Sequence, residues 1–223
     1  MLHARRYRER SQVADLLTDR DERIGCLLHG SRRGMGVEQP FRVLSLGLRG
    51  RGELYTATAA ETLEHLPLSP QAMICGLYLN ELLIRLTVRN SPLPGVYALY
   101  LMTLRALLEA ADPEPALRRF ERDVLACLGY GLELTRDADT DAPIDMAAHY
   151  RFVPEHGLRR VPRSERGAVA GASVLALARD ELHASTVLAD SKRLLGAVLK
   201  CYLGPQPLRS RALWPASAEP NSA

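Results

Sequence analysis

The stretch at residues 113–131, PEPALRRFERDVLACLGYG, constrains this chain more than any other. Leu117, Phe120, Val124 and Leu128 recur at spacings of three and four, which on a helix of 3.6 residues per turn puts them on one face. Arg118, Arg119, Glu121, Arg122 and Asp123 fall off that face, so the spacing predicts an amphipathic helix with a basic shoulder. Pro113 and Pro115 suit a first turn whose N–H groups have no intrahelical acceptor. Gly129 or Gly131 can take the left-handed conformation that closes a helix.

Upstream of it the period is two. Residues 12–18 (QVADLLT), 23–29 (RIGCLLH), 41–48 (FRVLSLGL) and 53–59 (ELYTATA) have strand length and are separated by the turn-forming DRDE, GSRRGMGVEQP and RGRG. Ile24, Cys26 and Leu28 alternate with Gly25, Leu27 and His29, and Leu44, Leu46 and Leu48 alternate with Val43, Ser45 and Gly47. Four or five short strands in so little chain must curl to cover their edges. A small closed barrel of the oligonucleotide/oligosaccharide-binding (OB) kind is the economical expectation.

From Leu68 the period becomes helical. Residues 70–90 are apolar nearly all round and belong at the centre of a helical domain; residues 94–111, 113–131, 172–183 and 186–203 supply further helices. Residues 135–163 are polar and loop-like, with Tyr150, Phe152 and Val153 as a short strand before a turn at 155–157. Residues 216–223 read as a frayed tail. The expectation is an α+β protein, with an N-terminal barrel domain over 1–66 and a mostly helical domain over 67–223.

Charge is uneven along this frame. Residues 1–60 carry 11 Arg or Lys against 7 Asp or Glu, residues 61–141 carry 7 against 12, and residues 142–223 carry 11 against 7. Arg5, Arg6, Arg8 and Arg10 precede the second strand, Arg32 and Arg33 lie in a Gly-rich loop, and Arg49 and Arg51 sit in the next turn. Loops and strands beside a barrel are where such folds grip a polynucleotide backbone, with Tyr7 and Tyr55 as candidate stacking platforms. A solubilising basic surface is the plainer alternative.

Other chemistries find little support. DADTDAPID matches the first ligand positions of a calcium loop, but Ala142 replaces the glycine of its sharp turn and Ala148 its bidentate glutamate. His149 and His156 have no cysteine partners for a zinc site, and Asp190-x-Lys192 lacks the upstream strand of a nuclease metal cage. There is no G-x-x-x-x-G-K-[ST] and no G-x-S-x-G, so an enzyme is not expected. Cys26, Cys75, Cys127 and Cys201 are widely spaced with apolar neighbours and read as buried, inert thiols. No apolar run reaches the roughly 18 residues of a membrane span, and LHARRYRER after Met1 is no signal core, so a cytoplasmic protein is expected.

The helix entered through PEPALRRFE and left through LGYG resembles the signature of the RecO family of bacterial recombination mediators. LHARRYRERS resembles that family's opening strand and turn, LLHGSRR its glycine-and-basic loop, and RGRGELYTATAAE its last barrel strand. GLYLNELLIRL is similar to its Tyr-x-x-Glu-Leu helix, and LKCYLGPQPLRSRALW to its C-terminal helix and tail. The resemblance implies an N-terminal OB barrel on a helical domain interrupted by a zinc-ribbon-like insertion, here residues 135–163, which has lost every cysteine. It also implies several residues before Leu2, so either the first strand is truncated or the start codon lies upstream.

The function so implied is non-enzymatic and needs no cofactor. The protein would bind single- and double-stranded DNA, anneal complementary strands and, with RecR, load RecA onto strands coated by single-stranded-DNA-binding protein, associated with the nucleoid. The coating protein's tail is acidic and ends in apolar residues, which makes Arg118 and Arg119 the candidate partner-binding residues. The competing reading is an OB-fold docking subunit that binds a protein partner without annealing, with a nuclease third.

Overall fold

The computed structural model describes residues 1–7, 11–29, 40–50 and 52–214. Residues ahead of the four period-two segments form β1 (His3–Tyr7), and the segments themselves form β2 (Ser11–Leu17), β3 (Arg23–His29), β4 (Arg42–Arg49) and β5 (Leu54–His65), in the sheet order β1-β2-β3-β5-β4. Strands β3 and β5 run parallel, while every other neighbouring pair is antiparallel. The predicted alternation holds on β3, where Ile24, Cys26 and Leu28 are buried. They form one cluster with Ala14 and Leu16, and residues from β1, β4 and β5 (Ala4, Leu44, Leu46, Tyr55, Ala57 and Ala60) pack against it. One core is therefore shared by all five strands.

The expected closed barrel is not found. Among the described residues β1 and β4 remain the two edges of the sheet, with no pairing between them. Strand β1 has five residues, paired with β2 on one side, against eight in β4, paired with β5 on one side. At the register shifts between Val43/Leu44 and Gly47/Leu48 the extra residues, Leu63 and Thr58, belong to β5, and such bulges bend the strand that carries them.

Two helices belong to the same compact unit as the sheet, which comprises Met1–Ala111 with Pro207–Ala223. These are α1 (Pro70–Leu86) and α2 (Val96–Glu109). The Ser69 hydroxyl caps α1 by accepting the Ala72 N–H. Helix α2 has no cap of its own; Asp21, in the β2–β3 turn with φ 55°, accepts the N–H groups of Gly95 and Tyr97, each at 2.9 Å. Two polar residues of the mostly apolar α1 are equally committed. Asn80 donates to the Leu2 carbonyl at 2.8 Å and accepts the Tyr100 hydroxyl at 2.6 Å. Glu81 accepts the N–H groups of Arg209 and Ser210, which seats the short 3-10 helix Arg209–Leu213 on α1. The compact units thus divide after Ala111, whereas the sequence places its domain boundary after residue 66.

A charged knot fastens β2 and β3 to the segment after α1. Asp15 accepts hydrogen bonds from Arg23 at 2.8 Å and from Arg89 at 2.8 and 2.9 Å, and Arg23 also reaches the Thr87 carbonyl at 2.7 Å. Gly25, opposite Asp15 in the ladder, leaves the room: a Cβ there would stand 2.9 Å from an Arg89 nitrogen and 2.7 Å from the Glu53 carbonyl. Burial pushes the Asp15 carboxyl up, but the Arg89 hydrogen bonds and the charges of Arg89, Arg23 and His3 outweigh it, and the net direction is down. A carboxyl held below its unfolded value stabilises the fold above that value and loses this contribution as pH falls through the folded one. The urea midpoint of the wild type should therefore exceed that of Asp15→Asn at neutral pH, and the gap should shrink below about pH 4. A gap independent of pH would mean that the carboxylate's charge is not what holds the knot.

The second compact unit is Asp112–Gln206. It contains α3 (Glu114–Cys127), a three-stranded sheet of β6 (His149–Val153), β7 (Gly157–Val161) and β8 (Val169–Ala170) in the order β7-β6-β8, then α4 (Gly171–Ala178) and α5 (Ser185–Leu203). Leu117, Phe120 and Val124 are buried as their spacing predicts. Residues 135–163 are more ordered than their polarity suggested, because Tyr150 and Leu158, each 1% exposed, anchor a β6–β7 hairpin from its inner face. Asp137 organises the preceding loop by accepting N–H groups from Asp139, Thr140 and Arg160. The α4 helix stops well before residue 183, and Asp180 takes φ 64° just past its end.

At Gly171 an added Cβ would lie 2.1 Å from the Asp145 backbone oxygen. Gly171→Ala should lower the urea midpoint by the equivalent of about 1–3 kcal/mol, as overpacking against backbone does. Cys26 and Cys75 are buried as expected, but Cys127 is half-buried and Cys201 is exposed.

Candidate nucleic-acid interface

Strand β1 carries the first candidate cations. It is an edge strand whose register sets Arg5 opposite Val13, Arg6 opposite Gln12 and Tyr7 opposite Ser11. Ala4 turns toward the core, while Arg5, Arg6 and Tyr7 are exposed, the last at 44%. Arg49 ends the other edge strand, β4, and is exposed as well. Among the described residues no carboxylate pairs with Arg5, Arg6 or Arg49. Arg8, Arg10, Arg32, Arg33 and Arg51 lie outside the described residues. Tyr55 is half-buried and packs against the core cluster.

Elsewhere most arginines are engaged. Arg23 and Arg89 hold Asp15, Arg105 meets Glu64 at 2.7 Å, Arg151 meets Glu165 at 2.9 Å and Arg159 meets Asp139 at 2.7 Å. Against that background the sheet-edge guanidiniums, unpaired with carboxylates among the described residues, are the cations to which a phosphate could bind without displacing an internal anion. Sequence reasoning passed over Arg163 and Arg166, which are exposed after β7 and, among the described residues, also lack a carboxylate. Their signal was the basic run GLRRVPRSER, hidden by the loop-like reading of that region.

The two candidate partner-binding arginines of α3 are placed differently. Arg118 is 4% exposed and donates to Glu121 at 2.8 Å, with a Glu114 oxygen 3.8 Å from its Nε. Arg119 lies on the surface, where its Nε donates to both oxygens of Asp180 at 2.8 Å. The neighbouring Arg122 donates to the Leu177 carbonyl at 2.7 Å and to Asp123 at 2.7 Å. Arg119 is thus the member of the pair that a partner could reach without opening the helix packing.

Residues 135–163 do not fit zinc. They contain no cysteine, and among the described residues no three His, Cys, Asp or Glu side chains gather into a metal-holding group. His149 starts β6 and His156 sits in the turn at its far end, donating its N–H to Val153, so the length of the strand keeps them more than about 10 Å apart. No described helix is long and apolar enough to cross a membrane.

The family model described as Recombination protein O C terminal matches residues 67–212. The chain belongs to the RecO family. It is 40% identical over 220 residues to the DNA repair protein RecO of Nitrosococcus oceani, covering 96% of this chain and 89% of that relative. The DNA repair protein RecO of Pseudomonas aeruginosa is likewise 40% identical, over 96% of this chain and 92% of its own length. That of Alkalilimnicola ehrlichii is 41% identical over 96% and 88%. The RecO match by family model includes α1, α2 and the whole second unit, and the relatives extend it across the five-stranded sheet.

Proposed function

We propose that this RecO-family chain is a DNA repair and recombination mediator whose N-terminal sheet binds the phosphate backbone of single- and double-stranded DNA. The observation that carries the reading is the set of exposed arginines on the two sheet edges, Arg5, Arg6 and Arg49, free of carboxylate partners among the described residues. The strand order with its parallel β3–β5 pair supports a partly open OB barrel over residues 1–66, continued by a helical region over 67–223 whose insertion at 135–163 is a ribbon without its metal. Arg8, Arg10, Arg32, Arg33 and Arg51 extend the basic set, and Tyr7 stacks on a base.

No acid, base or nucleophile is required for this work. Annealing brings two polyanions together, and cations on one scaffold lower that repulsion without reading sequence. With RecR the protein helps load RecA onto strands coated by single-stranded-DNA-binding protein, whose acidic tail meets Arg119 of α3, with Arg118 joining only if its pair with Glu121 opens. The test is annealing of two complementary labelled oligonucleotides, each pre-coated, without nucleotide or metal. Acceleration that fades with added salt is expected. No acceleration by folded protein, with the tail peptide still bound, would replace the mediator with a docking subunit.

Arg119→Ala separates the two surfaces. Its pair with Asp180 is 39% and 45% exposed, so its removal should cost less than about 1 kcal/mol of stability. Binding to naked DNA should be unchanged, while annealing of coated strands should slow several-fold. Equal loss on both substrates would remove Arg119 from the partner site.

A further inference from the structure

The second unit displays an aromatic pair that the DNA-binding reading does not use. The rings of Tyr130 and Tyr202 are stacked, with centroids 4.1 Å apart and planes 20° from parallel. Each residue is 41% exposed. Both are placed by helix endings. Gly129, at φ 78°, closes α3: its N–H reaches the Ala126 carbonyl at 3.0 Å and the Tyr130 N–H reaches the Leu125 carbonyl at 2.8 Å. Gly131 is held against Ala126, whose Cα would lie 3.3 Å from an added Cβ, so the chain on both sides of Tyr130 is fixed. Tyr202 occupies the last turn of α5, and Gly204 at φ 71° ends that helix.

Two helix C-termini therefore meet at one exposed aromatic stack. The negative ends of both backbone dipoles lie there, a field that favours cations and disfavours phosphate. Glu133 follows three residues after Tyr130; its carboxylate accepts the Thr135 N–H at 2.7 Å, and this bond with the Thr135 hydroxyl keeps its pKa below the usual carboxylate range. The nearby Arg136 is turned to the Asp141 carbonyl at 2.7 Å. Lys200, two positions before Tyr202, lies about 200° round the helix from it and so faces away. A nucleic-acid strand would need a line of cations beside the rings, and the helix ends supply the opposite field.

We infer that the Tyr130–Tyr202 stack is a docking point for an exposed arginine of a protein partner. Stacking uses one face of each ring, and at 41% exposure each residue still presents surface on which a planar guanidinium can lie flat, gaining cation–π attraction together with dispersion contact. The two helix dipoles supply the complementary field. An ammonium group would feel the same field but could not stack, which makes arginine the preferred cation over lysine.

The test follows the tyrosine ring resonances of the full-length protein by NMR, with Tyr202→Leu and Tyr130→Leu used for assignment. Titrating an acetylated, amidated Gly-Arg-Gly-Arg-Gly peptide should shift both rings saturably, and the lysine counterpart should shift them at least threefold less at equal concentration. An aspartate counterpart and a ten-residue oligothymidylate should leave them in place. Tyr202→Leu should abolish the arginine-induced shift of Tyr130 while the rest of the spectrum is preserved. Equal shifts by arginine and lysine peptides would reduce the site to simple charge attraction. Shifts by the oligonucleotide alone would make the pair a base platform, and no shift by any probe would make it an internal brace; each of these three outcomes overturns the proposal.

Discussion

Reversing Arg5, Arg6 and Arg49 to glutamate together should weaken binding to a single-stranded oligonucleotide about 100-fold at 0.1 M salt. The figure follows from counterion release. Each phosphate neutralised on a single strand adds about 0.7 to the slope of log affinity against log salt. At 0.1 M salt each such contact therefore contributes about 0.7 log units, so three lost contacts remove roughly 2 log units and lower the slope by about 2. Stability should move little, because all three side chains are exposed and no carboxylate among the described residues depends on them. The loss should be alike for oligonucleotides of different sequence, since phosphate contacts carry no base information. Unchanged affinity and unchanged slope would take the sheet edges out of the interface.

The sequence legible at the level of period delivered the elements. Strand β3 has the expected bounds, and the spacing of Leu117, Phe120 and Val124 named the buried face of α3. What period cannot show is which charges are neutralised inside. Arg118 and Glu121 read as outward residues because each alone is costly to bury; set three apart, they bury as a pair. Long-range ties were invisible for the same reason. Asp21 caps a helix that begins 75 residues later, and Asp15 meets Arg89 across 74 residues, neither of which any local window contains.

The open sheet also escaped, since alternation fixes which side of a strand is buried but says nothing about whether its edges meet. For the candidate interface, the sequence named cations but not their partners. Arg5, Arg6 and Arg49 are exposed and unpaired with any carboxylate among the described residues, Tyr55 is half-buried against the core cluster, and Arg118 is enclosed with Glu121.

Glu121→Ala should be among the most damaging single substitutions in the second unit, costing about 3–5 kcal/mol in urea unfolding. Its side chain is 2% exposed, and its Oε1 accepts the Arg118 guanidinium at 2.8 Å. Without it, the enclosed Arg118 charge would keep, among the described residues, only the Glu114 oxygen at 3.8 Å, and its Nε has no hydrogen-bond acceptor among them. Truncation thus strands a cation in a low-dielectric site, and that penalty exceeds the value of the pair itself. The double variant Arg118→Met with Glu121→Leu removes both charges while preserving volume, and its stability should range from that of the wild type to about 4 kcal/mol higher. Recovery in the double variant would show that the pair sets helix packing at a net cost. It also decides the function of Arg118. A stable double variant that still anneals coated strands leaves Arg119 as the partner contact on α3. One that folds but fails on coated strands alone makes Arg118 part of that contact, reached by opening its pair with Glu121.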